Sequence, residues 1–180
     1  MAQYNIIAEN ENYTIVSDYE AVYRTSEKYQ TEAQLEQELI KNLTEQGYEY
    51  LAIHTEKDLV DNLRVQLQRL NNYTFTDSEW ERFFNDVIAN PNEGIEAKTA
   101  KIQEDHIQVL KRDTGETKNI YLIDKRNIHN NYLQVINQYE EEQGNHDARY
   151  DVSILVNGLP LVHIELKRRG IQLKEAFNQI

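Results

Sequence analysis

The sequence has 180 residues, enough for one domain with a sizeable hydrophobic core. Its 39% hydrophobic and 28% charged residues are typical of a globular protein and argue against a disordered one. The net charge of -12 argues against a protein that coats nucleic acid, but it allows a local site where carboxylates bind a divalent cation. The absence of cysteine excludes disulfides and thiolate metal sites and fits a cytoplasmic protein. No apolar run is long enough to predict a membrane span.

Three amphipathic helices are predicted in the first half of the chain, after a short strand at residues 13–16. In the first helix, "TEAQLEQELIKNLTEQGY", Thr31 and Gln34 form a capping box and Gly47 is a natural C-terminal stop. The other two are predicted at 58–71 and at 77–90, the last capped by Thr76 or Asp77.

Two carboxylates of the first helix point toward its apolar side. At 100° per residue, Glu32 and Glu36 fall within the stripe formed by the helix's leucines. One interpretation is structural: Glu32 is favoured in the first turn by the helix dipole, and Glu36 lies at the edge of the stripe. The other is that an inward carboxylate belongs to a site.

The sequence pattern of the second half of the chain predicts mainly strands. The runs 106–112 and 117–124 flank Asp-Thr-Gly, which indicates a hairpin, and a further strand is predicted at 131–140. A second hairpin, "RYDVSILVNGLPLVHIELKRR" (149–169), is followed by a closing amphipathic helix at 173–180. The predicted fold class is α/β (α+β), a mixed and mainly antiparallel sheet flanked by helices.

The second hairpin allows two registers around its Asn-Gly. A two-residue loop separates the β-branched residues of the two strands onto opposite faces. A three-residue loop (157–159) pairs residue 151 with residue 165, and burial favours it. It places four β-branched residues on one face: Val152, Ile154, Val162 and Ile164. This register predicts that Asp151 lies opposite Glu165.

Two carboxylates opposite each other on paired strands repel, and a divalent cation between them removes the conflict. Mg²⁺ takes oxygen ligands and also binds substrate phosphates. Lys167, on the same face as Glu165, would hold a phosphate oxygen or lower the pKa of an attacking water. The alternative is a solvated edge hairpin with a surface ion pair. The apolar run "LPLVHIELK", which predicts a strand buried on both sides, favours the site.

Asp, a turn and then Glu-x-Lys resembles the core of PD-(D/E)xK nucleases. The stretch "RYDVSILVNGLPLVHIELK" followed by "LKEAFNQI" resembles the N-terminal nuclease region of the restriction (motor) subunit of type I restriction–modification enzymes. The first helix resembles that family's opening helix, and "NNYLQVINQY" resembles its strand before the motif. The resemblance implies a restriction-endonuclease-like core, with residues 1–180 as one endonuclease domain.

By this resemblance, Asp151 and Glu165 are the metal-binding carboxylates and Lys167 is the catalytic lysine. The backbone carbonyl of Leu166 would add a metal ligand, and the acidic residue of the opening helix is Glu32, with Glu36 as the alternative. Tyr150 stands where the family's pattern has Pro. Further residues are expected to contact DNA, one as the first residue of the family's Gln-x-x-x-Tyr motif and three as a basic patch: Gln179, Arg168, Arg169 and Lys174.

The resemblance implies a Mg²⁺-dependent endonuclease domain that cleaves duplex DNA by phosphodiester hydrolysis. Its partners would be the methyltransferase and specificity subunits. The family's motor uses ATP, but this chain has no Gly-x-x-x-x-Gly-Lys phosphate loop. We therefore expect an N-terminal fragment of a longer subunit, with little or no activity alone. The alternative function is a catalytically silent docking domain that links the motor to the methyltransferase core.

Overall fold

A four-stranded sheet organises the part of the chain that contains the predicted site. The computed structural model describes residues 5–9, 14–17, 30–141 and 148–167. In chain order the elements are β1 (Asn5–Glu9), β2 (Thr14–Ser17), α1 (Glu32–Glu45), β3 (Glu49–Tyr50), α2 (Glu56–Asn71), α3 (Asp77–Phe83), α4 (Ile95–Gln103), β4 (Ile107–Lys111), β5 (Thr117–Tyr121), β6 (Leu133–Glu141), β7 (Ala148–Val156) and β8 (Leu159–Ile164).

The sheet has the order β3-β6-β7-β8 and is mixed. β3 runs parallel to β6, and β6, β7 and β8 are antiparallel to their neighbours. The pairs β1–β2 and β4–β5 form two separate antiparallel ribbons. The predicted α/β class with a mainly antiparallel mixed sheet is therefore confirmed. Among the described residues, no helix is both long and apolar enough to cross a membrane.

The predicted starts of α1 and α3 are confirmed, whereas α2 begins at Glu56, two residues before the predicted start at 58. Thr31 and Gln34 form the expected capping box of α1, and Gly47 has a φ of +94° after the helix. Thr76, not Asp77, caps α3, with Glu79 as its capping-box partner. Beyond α3 the chain continues as one π-helical segment, Phe84–Ile88. The sequence reading missed α4, whose N-cap Gly94 offers no capping side chain.

The two faces of the sheet are covered by different helices. On one face, Leu39, Ile40 and Leu43 of α1 pack on Val135 and Val152. On the other face, the partly buried Leu59 of α2 packs on a cluster that includes Ile136 and Leu155. A larger cluster joins α2, α3 and the β4–β5 ribbon: Leu63, Leu67, Phe75, Trp80, Phe83, Leu110, Ile120, Leu122 and Leu159.

The β7–β8 hairpin has the predicted register but reaches it differently. The three-residue loop is wrong: Val156 pairs with Leu159, so the turn has two residues. A bulge between Ile154 and Leu155 then shifts the register by one residue, and Ile154 pairs with Val162 as predicted. The turn keeps the strong Asn-Gly preference for two left-handed residues, while the bulge still places Val152, Ile154 and Ile164 on the α1 face. Val162 remains 46% exposed.

The turn itself is anchored in the interior. Asn157 (φ +53°) is fully buried. Its side-chain Nδ2 donates to the carbonyl of Leu122 at 3.0 Å and to Oδ1 of Asn131 at 2.8 Å. Its Oδ1 accepts from the amide of Tyr132 at 2.8 Å. Gly158 (φ +82°) lies so close to α2 that a Cβ there would be 2.6 Å from Cα of Leu63. Only glycine fits this position.

Two expectations for the second strand are wrong. β8 ends at Ile164, so Glu165 and Lys167 follow the strand instead of lying within it. The strand is not buried on both sides, since residues 160–163 are exposed and β8 is the last strand of the four-stranded sheet in the described part of the chain. Beyond the last ladder pair, Val152–Ile164, the amide of Leu166 donates to the side chain of Asp151.

Candidate active site

Three separate chain segments bring charged side chains to one end of the sheet. Glu32 comes from the first turn of α1, Asp151 from β7, and Glu165 and Lys167 from the segment after β8. The negative charges of Glu32, Asp151 and Glu165 all act on the ammonium group of Lys167. The structure thus links Asp151, Glu165 and Lys167 through the amide of Leu166 and one ion pair, and the charge of Glu32 raises the pKa of Lys167.

Glu165 and Lys167 form a short and sheltered ion pair. The distance from Nζ of Lys167 to Oε1 of Glu165 is 2.5 Å. The side chain of Lys167 is only 18% exposed and that of Glu165 only 11%. Surface pairs elsewhere differ: Lys57 and Asp61 are also 2.5 Å apart, but their side chains are 82% and 59% exposed. Removing a charge from water costs solvation free energy, so the sheltered Lys167 is held beside its partner Glu165. Exposed ion pairs, in contrast, contribute little to the free energy of folding.

Asp151 is fixed by a backbone hydrogen bond. Its Oδ2 accepts from the amide of Leu166 at 2.7 Å. The side chain of Leu166 packs with the α1-face cluster around Val152. The residue between the two charged ones therefore connects the Glu-x-Lys segment to both Asp151 and the core, which limits the movement of Glu165 and Lys167.

The charge state of Lys167 follows from these neighbours. The hydrogen bond that Lys167 donates to Glu165 raises the pKa of Lys167, and burial lowers it to a smaller extent. The charges of Glu165, Glu32 and Asp151 add to the upward shift. Lys167 is therefore protonated at neutral pH. It donates a hydrogen bond to Glu165 and supplies positive charge to the site.

The oxygen atoms available at this site are of the kind that bind a hard divalent cation. Carboxylates and a backbone carbonyl are the oxygen ligands that Mg²⁺ prefers, and three carboxylates against one ammonium leave the cluster with excess negative charge. In the described part of the chain, however, no three His, Cys, Asp or Glu residues stand close enough to hold a metal ion together. One oxygen of Glu165 is occupied by Lys167 and one of Asp151 by Leu166.

The two inward acids of α1 have different surroundings. Glu36 accepts hydrogen bonds from the side chains of Asn137 (2.6 Å) and Gln138 (2.5 Å) on β6. Glu32, one turn earlier, acts on Lys167. Of the two alternatives, Glu32 is the one the structure brings to the lysine. The Asn137–Gln138 pair was missed, although two amides that interrupt the apolar strand "YLQVINQY" were a visible signal.

His163 has a packing role in the structure. Its Nδ1 lies 2.8 Å from Oγ of Ser153, and its ring stacks on Tyr150 with 4.0 Å between centroids. The predicted DNA contacts lie outside the described residues: Arg168, Arg169, Lys174 and Gln179. The predicted closing helix at 173–180 lies there as well.

Comparisons with known proteins agree on one family. Residues 29–180 match the family described as "Type I restriction enzyme R protein N terminus". The chain is 48% identical over 175 residues to the "Type I restriction enzyme EcoprrI endonuclease subunit" of Escherichia coli, covering 97% of this chain and 56% of that protein.

Staphylococcal relatives show the same relationship at lower identity. The chain is 41% identical over 157 residues to the "Type I restriction enzyme SsaAORF53P endonuclease subunit" of Staphylococcus saprophyticus. It is 39% identical over 159 residues to the "Type I restriction enzyme SauCOLORF180P endonuclease subunit" of Staphylococcus aureus. Each match covers 84% of this chain but only 16% of the relative. The chain thus spans about half of the Escherichia coli protein and a small part of the staphylococcal ones.

Proposed function

Since the chain belongs to the family of type I restriction enzyme R protein N-terminal domains, we propose that it is a Mg²⁺-dependent endonuclease domain that cleaves duplex DNA by phosphodiester hydrolysis. It works as part of a restriction subunit whose partners are the modification and specificity subunits. The supporting observation is that Asp151, which is bonded to the amide of Leu166, lies beside the sheltered ion pair of Glu165 and Lys167. The charge of Glu32 also raises the pKa of Lys167. The names of its relatives, endonuclease subunits of type I restriction enzymes, agree with this proposal.

Each residue of the site has a distinct role in the proposal. Asp151, Glu165 and the carbonyl of Leu166 would hold the cation, and Glu32 would contribute its carboxylate to the same site. When bound, Mg²⁺ supplies Lewis-acid polarisation of a phosphate oxygen and a more acidic water. Gln179 and the basic residues Arg168, Arg169 and Lys174 contact the DNA.

Lys167 acts as a proton donor and a positive charge, because its carboxylate neighbours keep it protonated. Its ammonium stabilises the charge that develops on the scissile phosphate and orients the attacking water. Because Oε1 of Glu165 accepts from Lys167, a cation held by Glu165 would be adjacent to the ammonium group in the proposed site.

The test is DNA cleavage by the complete restriction complex with substitutions in this domain. Lys167→Ala and Asp151→Ala should each reduce cleavage at least about 100-fold, since each removes charge that is needed in the transition state. ATP-driven translocation should be unchanged. Lys57→Ala is the matched control, because it breaks an ion pair of the same length on the exposed surface.

Cleavage that survives both site substitutions would overturn the nuclease assignment and favour a docking domain. Loss of both cleavage and translocation in the site variants would also contradict the proposal. It would mean that the substitutions disturb assembly and not the chemistry.

A further inference from the structure

A second polar cluster connects α1 to the sheet beside the site. Both oxygens of Glu36 accept hydrogen bonds, Oε1 from Nδ2 of Asn137 at 2.6 Å and Oε2 from Nε2 of Gln138 at 2.5 Å. Oδ1 of Asn137 in turn accepts from the hydroxyl of Tyr50 on β3 at 2.8 Å. The carboxylate of Glu36 therefore ties the first half of α1 to β6 through two charge-assisted hydrogen bonds, and Asn137 extends the connection to β3.

Gln138 has a left-handed backbone conformation and lies opposite Asp151. Its φ of +53° lies in the left-handed region, which side chains other than Gly, Asn and Asp rarely adopt. It falls between the ladder pairs Asn137–Val152 and Tyr139–Tyr150, which places it opposite Asp151. Strained backbone of this kind persists only where the surrounding contacts enforce it.

Both strands change face at this point. Residues an odd number apart on a regular strand point to opposite faces. Ile136 and Tyr139 nevertheless pack in one cluster, and so do Tyr150 and Leu155. The change of face on β6 falls between Ile136 and Tyr139, where Gln138 lies opposite Asp151 of β7.

We propose that Glu36, by holding Asn137 and Gln138, positions both halves of the carboxylate site: Glu32 one turn earlier on α1, and Asp151 opposite Gln138. Glu36 is thus a positioning residue and not a metal ligand. This inference rests on the proposed function, because it assigns Glu36 a task at the proposed cation site. It separates the two acids of α1, whose sequence positions alone made them equivalent candidates.

The experiment is a Mn²⁺ titration of this chain by calorimetry, well below its unfolding temperature. Glu36→Gln keeps the shape of the side chain but replaces one acceptor oxygen by a donor, so it cannot accept from both amides. We expect about 10- to 100-fold weaker Mn²⁺ binding, the range typical for residues that orient metal ligands. The matched control is Glu38→Gln, which removes the same charge from the same helix at an exposed residue and should bind Mn²⁺ as the unaltered chain does.

A second variant separates the hydrogen bond from the backbone conformation. Gln138→Gly adopts the left-handed conformation without strain but removes the contact with Glu36. It should weaken Mn²⁺ binding, and the double variant should be no weaker than the more affected single variant, because both remove one interaction.

The outcomes are distinct. If Asp151→Asn abolishes Mn²⁺ binding while Glu36→Gln binds as the unaltered chain does, the positioning role is refuted and the proposed function stands. If the unaltered chain and Asp151→Asn give the same titration, the cation site itself is refuted, and the role of Glu36 falls with it. Equal weakening by Glu36→Gln and Glu38→Gln would attribute the effect to net charge and would also refute the positioning role.

Discussion

The two ends of the β7–β8 hairpin are held by opposite means. At the turn, Asn157 is neutral, fully buried and bonded through its side chain to three partners, and Gly158 touches the backbone of α2. At the open end, Asp151, Glu165 and Lys167 are charged and only partly buried, and the backbone ladder has ended. One end is built for rigidity, and the other concentrates charge.

This difference shows how a hairpin can present a site. The buried turn fixes the position of β7 and β8 against α2. The open end can therefore carry charged side chains close together while the two strands keep their register. Because the amides at the turn have no titratable group, their contribution to the free energy of unfolding is independent of pH. The open end, in contrast, responds to pH and to cations.

The largest effect is expected from Gly158→Ala. The added Cβ would lie 2.6 Å from Cα of Leu63, and alanine resists a φ of +82°. We expect a loss of about 4 kcal/mol in the free energy of unfolding, measured by urea denaturation. The control is Gly115→Ala, with a φ of +86° and no atom within 4 Å of the new Cβ, which should cost only about 1–2 kcal/mol. Equal costs would show that the contact with α2 is unimportant.

A smaller effect is expected from Asn157→Ala. The substitution leaves the buried carbonyl of Leu122 and the amide of Tyr132 without their side-chain partner. The expected loss is about 2–3 kcal/mol in the free energy of unfolding. Asn72→Ala is the control, because Asn72 is also left-handed (φ +45°) but exposed. A cost no greater than that of the control would mean that the buried amide bonds do not stabilise the turn.

The smallest effect is the pH dependence of the open end. The folded-state pKa of Lys167 is raised above its ordinary value of 10.5, so its pairing stabilises the fold fully below that value. The contribution is lost as the pH rises through the raised pKa. Lys167→Met should therefore lack part of the alkaline loss in stability shown by the unaltered chain, measured by thermal unfolding at pH 7 and above pH 10.5. Asn157→Ala should keep all of that loss. An alkaline loss of the same size in Lys167→Met and the unaltered chain would contradict the shift.

Much of the site was visible in the sequence because its signals are local. The arrangement of Asp151, Glu165 and Lys167 depends on the register of β7 and β8, which the aliphatic residues select by burial, and on the short segment that follows β8. The device that sets the register was not visible. Beyond the bulge, the strand pairing is the same as a three-residue loop would produce. The amino-acid composition of the hairpin does not distinguish an Asn-Gly turn followed by a bulge from such a loop.

By itself, the sequence determined the fold class, the capped starts of α1 and α3 and the identity of the charged residues, since propensity, capping and periodicity act over a few neighbouring residues. Only the tertiary structure decided which acid of α1 raises the pKa of Lys167 and which one bonds to β6. Glu32 and Glu36 are one helical turn apart on the same side, so the difference between them depends on side chains that distant parts of the chain bring to each.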